Sequence, residues 1–175
     1  MIDALALDLV DKGLLTQKIV LTVGYDIENV KDGYSGELMR DFYGRTVPKH
    51  AHGTVTLDEF TSSSKELTEG AISLFDKIIS RDLLIRRINV AAIDIIREED
   101  LHMRESGQME FFDLIEGKSA KTEAKKVARV RDKQVQSAML DIKKKFGKNA
   151  IIKGMSLEDG ATATERNRQI GGHKA

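Results

Sequence analysis

The sequence has no cysteine and no tryptophan, and Pro48 is its single proline. The lack of cysteine excludes disulfide bonds, thiolate zinc sites and cysteine nucleophiles, and it fits a reducing compartment. No apolar run approaches the ~20 residues that a membrane-spanning helix needs. The first residues also lack the basic flank and apolar stretch of a signal peptide. We therefore expect a cytoplasmic protein with no membrane partner.

Charge is balanced overall but unevenly distributed along the 175 residues. The chain carries 28 basic and 28 acidic side chains, yet residues 1–100 have a net charge of −6 and residues 119–175 a net charge of +8. An acidic domain followed by a basic tail is typical of a globular module whose arm faces a nucleic acid or a partner. A charge-rich exposed helix that is basic by chance explains the same asymmetry.

Hydrophobic periodicity predicts an α+β domain, a small antiparallel sheet with two helices on one face. The first helix has no N-capping residue before it, and we therefore expect that a first strand is missing ahead of Met1. The predicted elements, in chain order, are a helix over 2–13, a strand over 18–25, a short strand within 38–43, a strand over 53–60, a helix over 65–80 capped by Ser63 or Ser64, and a strand over 84–96.

The pattern changes after the last predicted strand. We divide the chain into a domain over 1–98, a linker over 99–118 and a basic helix with a flexible tail over 119–175. An intermittent apolar stripe among lysines and arginines predicts that 120–146 is one long helix, and Gly147 is a suitable C-cap. The polar, glycine-rich residues after 160 are expected to be mobile.

No set of residues predicts an active site or a metal site. His50 and His52 form a His-x-His pair, but solvated or phosphate-facing histidines explain them better than metal ligation. Ser62, Ser63 and Ser64 have no base near them in sequence, and helix capping accounts for them.

Phosphate binding has more support, because cations and hydroxyls lie where strands and a helix begin. Backbone N–H groups at a helix N-terminus favour an anion, and cations at the rim of a sheet can contact phosphates. Ordinary solubilising residues would give the same pattern. The candidate residues are Arg45, Lys49, His50, His52, Ser62, Ser63, Ser64, Arg86 and Arg87.

Several segments resemble one protein family. The stretch Tyr43–Gly53, with Lys49-His50-Ala51-His52-Gly53 within it, and the strand Ile85–Val90 with its arginine pair resemble the little-finger domain of Y-family translesion DNA polymerases. The segments Phe146–Ile151 and Gly171–Ala175 resemble the C-terminus of the same group. Within that family, the sequence most resembles the UmuC/DinB-type (ImpB/MucB/SamB) repair polymerases of Gram-positive bacteria. The resemblance extends over essentially the whole chain.

The resemblance implies a DNA-binding role in repair and SOS mutagenesis. In that family the little finger lies along the major groove of primer–template DNA, and the candidate residues named above match its DNA-facing elements. The family's two magnesium ions are held by a catalytic palm, which lies N-terminal to the little finger together with the fingers and thumb. We therefore expect no cofactor and no nucleotide incorporation in this chain alone, and we expect the catalytic core to be its partner.

A second partner is implied by residues 108–112. Gln108, Met109, Phe111 and Phe112 resemble the peptide with which bacterial polymerases bind the sliding clamp. In such a peptide the glutamine enters a polar pocket and the apolar side chains fill a groove. A linker that folds its phenylalanines back onto the core is the alternative. An alternative for the whole chain is a stand-alone interaction or regulatory module that binds a protein through 120–146 and never contacts DNA.

Overall fold

The computed structural model describes residues 1–31, 33–101, 120–170 and 173–174. Short 3-10 helices lie at Ile27–Val30 and Gly154–Ser156. Four α-helices have both ends within the described residues: α1 (Ile2–Asp11), α2 (Ser64–Ile78), α3 (Ala120–Phe146) and α4 (Ala163–Asn167). Residues 98–101 are helical as well. The strands are β1 (Leu14–Tyr25), β2 (Leu38–Arg40), β3 (Thr46–Pro48), β4 (Ala51–Thr61), β5 (Ile85–Arg97), β6 (Gln169–Ile170) and β7 (His173–Lys174).

The main sheet has three antiparallel strands, with β1 in the centre between β4 and β5. Ile19 of β1 lies opposite Val55 of β4 and Ala92 of β5, so these three side chains share one face. Successive side chains of a strand point to opposite faces, and the neighbouring positions therefore form a second face. The predicted α+β class is confirmed.

Both α1 and α2 pack against the face that carries Ile19. One core cluster joins Ala6 and Leu9 of α1, Ile19 of β1, and Leu67 and Ala71 of α2. A second cluster continues the same layer along β1 and α2 with Leu21, Val23, Tyr25 and Leu74. Because helices cover this face, we call it the covered face and the opposite side of the sheet the open face.

Two local interactions fix the ends of α2. Ser63 is the N-cap, and its Oγ accepts a hydrogen bond from the backbone N–H of Glu66 at 3.4 Å. Just beyond the other end, the hydroxyl of buried Tyr25 accepts a hydrogen bond from the Ser80 N–H at 2.9 Å. These contacts hold the helix at a fixed position along β1, in agreement with the predicted cap.

Residues 38–48 form a β-hairpin outside the main sheet, whereas the sequence predicted one strand within 38–43. The turn at Asp41–Arg45 separates β2 from β3 because Asp41 accepts backbone hydrogen bonds from Tyr43 and Arg45, each at 2.9 Å. Gly44 has a φ of +76°, a backbone conformation that glycine adopts without strain. These contacts end the predicted strand at Arg40.

The C-terminal part contains a long helix and short elements after it. The long helix was placed correctly, and α3 ends before Gly147, which has a φ of +96°. After residue 160 the chain forms α4 and the paired strands β6 and β7, and the mobility expected there stays a prediction. α3 lies against α1. No helix within the described ranges is long and apolar enough to cross a membrane.

Candidate nucleic-acid interface

The open face of the sheet has small and polar side chains along its central strand. Val20 and Thr22 of β1 lie opposite Thr54 and His52 of β4, and opposite Ala91 and Asn89 of β5. In the described ranges, the core clusters that join helices to the sheet lie on the covered face. Short side chains let another molecule's backbone approach the sheet closely.

The arginine pair of β5 lies at one end of this face. Arg87 is exposed and lies opposite Gly24, whose missing side chain leaves the Arg87 side chain uncovered on that side. Arg86 is also exposed, and its Nη1 lies 3.2 Å from Oδ2 of Asp26. The pKa of Asp26 is lowered, first by a hydrogen bond from the Glu28 N–H and then by Arg86. Because α1 and α2 pack on the covered face, both arginine side chains remain exposed to solvent.

The β2–β3 hairpin overhangs the same end of the open face. Between hairpin and sheet lies a groove of about 460 Å³, which we call the rim groove. Four of the residues predicted from the sequence line it, namely Arg45, His50, Arg86 and Arg87. Thus positions separated by up to 42 residues in the chain meet at one site.

Arg45 is held in place by the carboxylate of Asp41. Its Nε and Nη2 lie 2.8 Å and 2.6 Å from Oδ2 of Asp41. This contact lowers the pKa of Asp41 and raises that of Arg45. Because the Asp41 carboxylate offsets much of the Arg45 charge, Arg45 contributes less net positive potential to the groove than Arg87, for which no pairing carboxylate is found in the described residues.

The remaining candidate residues near the hairpin have partners of their own. His52 Nδ1 lies 2.9 Å from Oγ1 of Thr22 on the open face, and His50 Nδ1 lies 3.0 Å from Sδ of Met39. Lys49 Nζ donates to Oε2 of Glu37 at 2.5 Å, which lowers the pKa of Glu37. In the described parts of the chain, no group of three or more His, Cys, Asp or Glu residues could hold a metal ion.

The three predicted serines lie away from the rim groove, at the N-terminus of α2. Ser63 Oγ donates to Oδ2 of Asp132 in α3 at 2.6 Å, and Ser64 Oγ donates to Oδ1 of Asp3 at 2.5 Å. The Ser62 carbonyl accepts a hydrogen bond from buried Gln136 at 3.1 Å. In this arrangement α3 occupies the site where the sequence placed an anion, so a phosphate could reach the serines only after α3 moves away.

The basic C-terminal part is paired with the acidic helical layer. Arg129 of α3 binds Glu66 with two contacts, Nε to Oε1 at 3.0 Å and Nη2 to Oε2 at 3.2 Å. Burial alone would lower the pKa of Arg129, but Glu66 and Glu59 outweigh it and the pKa is raised. Three further ion pairs of the same kind join Lys133 to Glu98, Lys144 to Asp11 and Lys153 to Asp3. Basic residues of the C-terminal part thus pair with acidic residues of the domain in the same chain. The sequence had suggested an arm facing a nucleic acid or partner, or a helix that is basic by chance, and neither interpretation included this pairing.

Sequence reasoning missed parts of the rim groove. Asn89 lies on its wall, and the alternation from Arg87 along β5 was the signal that could have placed it there. Phe42 and Tyr43 also line the groove, but nothing in their spacing shows that they are exposed at a turn. The clamp-binding residues Gln108, Met109, Phe111 and Phe112 lie outside the described residues.

Comparison with known proteins agrees with this architecture. The chain matches the model of the impB/mucB/samB family C-terminal domain over residues 1–108, which is more than half of its length. The searches of the curated proteins and of the solved structures find no match. The match includes the whole of the main sheet, α1, α2 and the hairpin. The chain therefore belongs to the impB/mucB/samB family, as a C-terminal region of a Y-family translesion DNA polymerase.

Proposed function

We propose that this chain is the DNA-holding part of a translesion polymerase that acts in repair of damaged DNA in the cytoplasm. The open face and the rim groove hold primer–template DNA, while the catalytic palm, fingers and thumb of the same polymerase, with their magnesium ions, incorporate nucleotides. One observation carries the proposal: helices cover one face of the sheet, whereas Arg86 and Arg87 stand in solvent at the end of the other.

Phosphate contacts suit a polymerase that must hold DNA of any sequence. Contacts to phosphates fix the position of a protein on the duplex without reading its bases. Residues 1–100 have a net charge of −6, so the affinity must come from a local cluster of cations rather than from the whole domain. Arg86, Arg87 and Arg45 supply that cluster at the rim groove.

The proposal predicts which arginine matters for DNA binding. Arg87→Ala should weaken binding to a fluorescently labelled primer–template duplex about tenfold, because a hydrogen bond to a charged group is worth ~1.5 kcal/mol or more. Arg81→Ala is the control, since Arg81 is exposed in the loop between α2 and β5, pairs with Asp76 of α2 at 3.0 Å and does not line the rim groove. Fluorescence anisotropy measures both. Equal affinities of the two variants would contradict the proposed interface.

We also propose that residues 108–112 tether the chain to the bacterial sliding clamp. Support comes from the sequence of Gln108, Met109, Phe111 and Phe112 and from their position between β5 and α3. Aromatic anchors of this type typically cost ~2 kcal/mol or more each when truncated. The double variant Phe111→Ala, Phe112→Ala should therefore lose measurable binding to purified clamp. Unchanged affinity would remove the clamp from the proposal.

A second candidate function is protein binding through α3. Val127, Val135 and Phe146 are 67%, 51% and 66% exposed, so α3 presents apolar side chains to solvent while its other side pairs with the domain. If the chain is an interaction module without DNA binding, it should show no affinity for duplex DNA at low salt. Salt-dependent duplex binding favours the first candidate instead.

A further inference from the structure

Two aromatic side chains stand almost free in solvent at the tip of the β2–β3 hairpin. Phe42 is 96% exposed and Tyr43 is 77% exposed. Their rings form an edge-to-face pair with centroids 5.4 Å apart and an angle of 88° between the planes. Single exposed apolar residues are common on protein surfaces. An adjacent pair of exposed aromatic rings, at a turn that needs neither ring for its fold, indicates a binding site instead.

The turn that carries the pair is held by hydrogen bonds rather than by apolar packing. Asp41 accepts from the Tyr43 and Arg45 N–H groups, and its carbonyl accepts from the Gly44 N–H at 3.0 Å. The Arg45 guanidinium, fixed by the Asp41 carboxylate, lies 5.1 Å from the centroid of the Tyr43 ring. The aromatic pair is therefore presented in a defined geometry, which reduces the entropy lost when a ligand binds.

The chemistry around the pair selects the ligand. The same rim groove contains Arg86, Arg87 and Asn89, so a ligand that places a flat ring on Phe42 meets cations and an amide beside it. A nucleotide combines these features, because its base stacks on aromatic rings while its phosphate pairs with arginine. In a duplex both faces of an internal base are covered by neighbouring bases. An unpaired base has a free face.

We propose that the hairpin tip is a stacking site for an unpaired nucleobase of the template strand, next to the duplex held by the open face. This proposal rests on the proposed DNA binding and extends it from duplex to single-stranded template. The site is sequence-tolerant, because every base has a ring face to stack. The arginines of the rim groove bind the phosphate of the stacked nucleotide.

The test compares two DNA ligands that differ only in an unpaired segment. Fluorescence anisotropy with the 175-residue chain measures affinity for a blunt duplex and for the same duplex with a template overhang that contains 2-aminopurine. The unaltered chain should prefer the overhang substrate, and the emission of 2-aminopurine should change on binding. In Phe42→Ala, Tyr43→Ala the preference should fall about 5- to 150-fold, since stacking is worth ~1–3 kcal/mol per base.

Two control variants separate stacking from other effects. Phe146→Ala removes an exposed phenylalanine that also lies near a cation, Lys145 at 5.2 Å from the ring centroid, and it should keep the preference. Phe42→Trp keeps an aromatic ring at this position, so it should retain the preference for the overhang and the 2-aminopurine signal that the double alanine variant loses. Equal loss on both substrates, or no effect of the double variant, would overturn the stacking site.

The outcomes also separate this proposal from the function on which it rests. Binding to the blunt duplex without preference for the overhang refutes the stacking site and leaves the duplex interface standing. Binding to neither substrate refutes both. Loss of protein stability is checked by urea unfolding of the same variants, which should match the unaltered chain because both rings are exposed.

Discussion

The pairing of Arg129 with Glu66 gives the sharpest prediction about how the basic C-terminal part is held. Two hydrogen bonds of 3.0 and 3.2 Å join the guanidinium to the carboxylate, and the side chains are 28% and 26% exposed. Exposed ion pairs contribute ~0–1 kcal/mol, whereas hydrogen bonds to charged groups shielded from water contribute ~1.5–3 kcal/mol. A two-contact pair with about a quarter of its surface exposed should therefore couple with about 1–2 kcal/mol.

A double-mutant cycle measures this coupling directly. Urea unfolding of Arg129→Ala, Glu66→Ala and the double variant gives the interaction free energy, and the lost packing of the arginine stem cancels in the cycle. The coupling should fall when salt is raised from low to about 1 M, where charges are screened within ~3 Å. A coupling that is zero within the error of the method, or insensitive to salt, would refute the ionic docking of α3.

Two further predictions concern the core and the anchor of the C-terminal segment. Leu67→Ala should destabilise the chain by ~2–5 kcal/mol in urea unfolding, because Leu67 is fully buried, whereas Ile72→Ala on the same helix, 52% exposed, should cost far less; equal losses would contradict the described core. Burial alone would raise the pKa of Asp3, but Lys153 and Ser64 bind its carboxylate and the pKa is lowered. The contribution of Asp3 to folding stability is therefore present above its unfolded pKa of about 3.9 and is lost as the pH falls through the lower folded value. The stability difference between the unaltered chain and Asp3→Asn should thus shrink as the pH falls below the unfolded pKa, and a difference that does not change with pH would contradict this ion pair.

The elements of the domain could be predicted because their signals are local. The alternation from Ile19 to Tyr25 identifies β1, and the apolar spacing with Ser63 before it identifies α2. The arginine pair was placed at the start of the last strand by the same reasoning. Each of these features depends on a few neighbouring residues, which is why the sequence alone is sufficient.

What could not be predicted depends on contacts between distant residues. The rim groove forms only when the hairpin lies next to β5, which brings together Arg45 and Arg87, 42 residues apart in the chain. No local sequence pattern predicts that contact. Ser62 and Ser63 at the start of α2 look free in the sequence because their partners, Gln136 and Asp132, follow about 70 residues later. A basic tail read by itself likewise does not show that an acidic surface of the same chain binds it.

The salt dependence of DNA binding tests the central claim most directly. Each phosphate contact lowers the slope of log affinity against log salt by about 0.9 on duplex DNA. The account predicts that the double variant Arg86→Gln, Arg87→Gln binds the duplex more weakly and with a slope about 1.8 less steep than that of the unaltered chain. Identical slopes, or binding that does not depend on salt, would contradict an interface in which these two arginines contact phosphates.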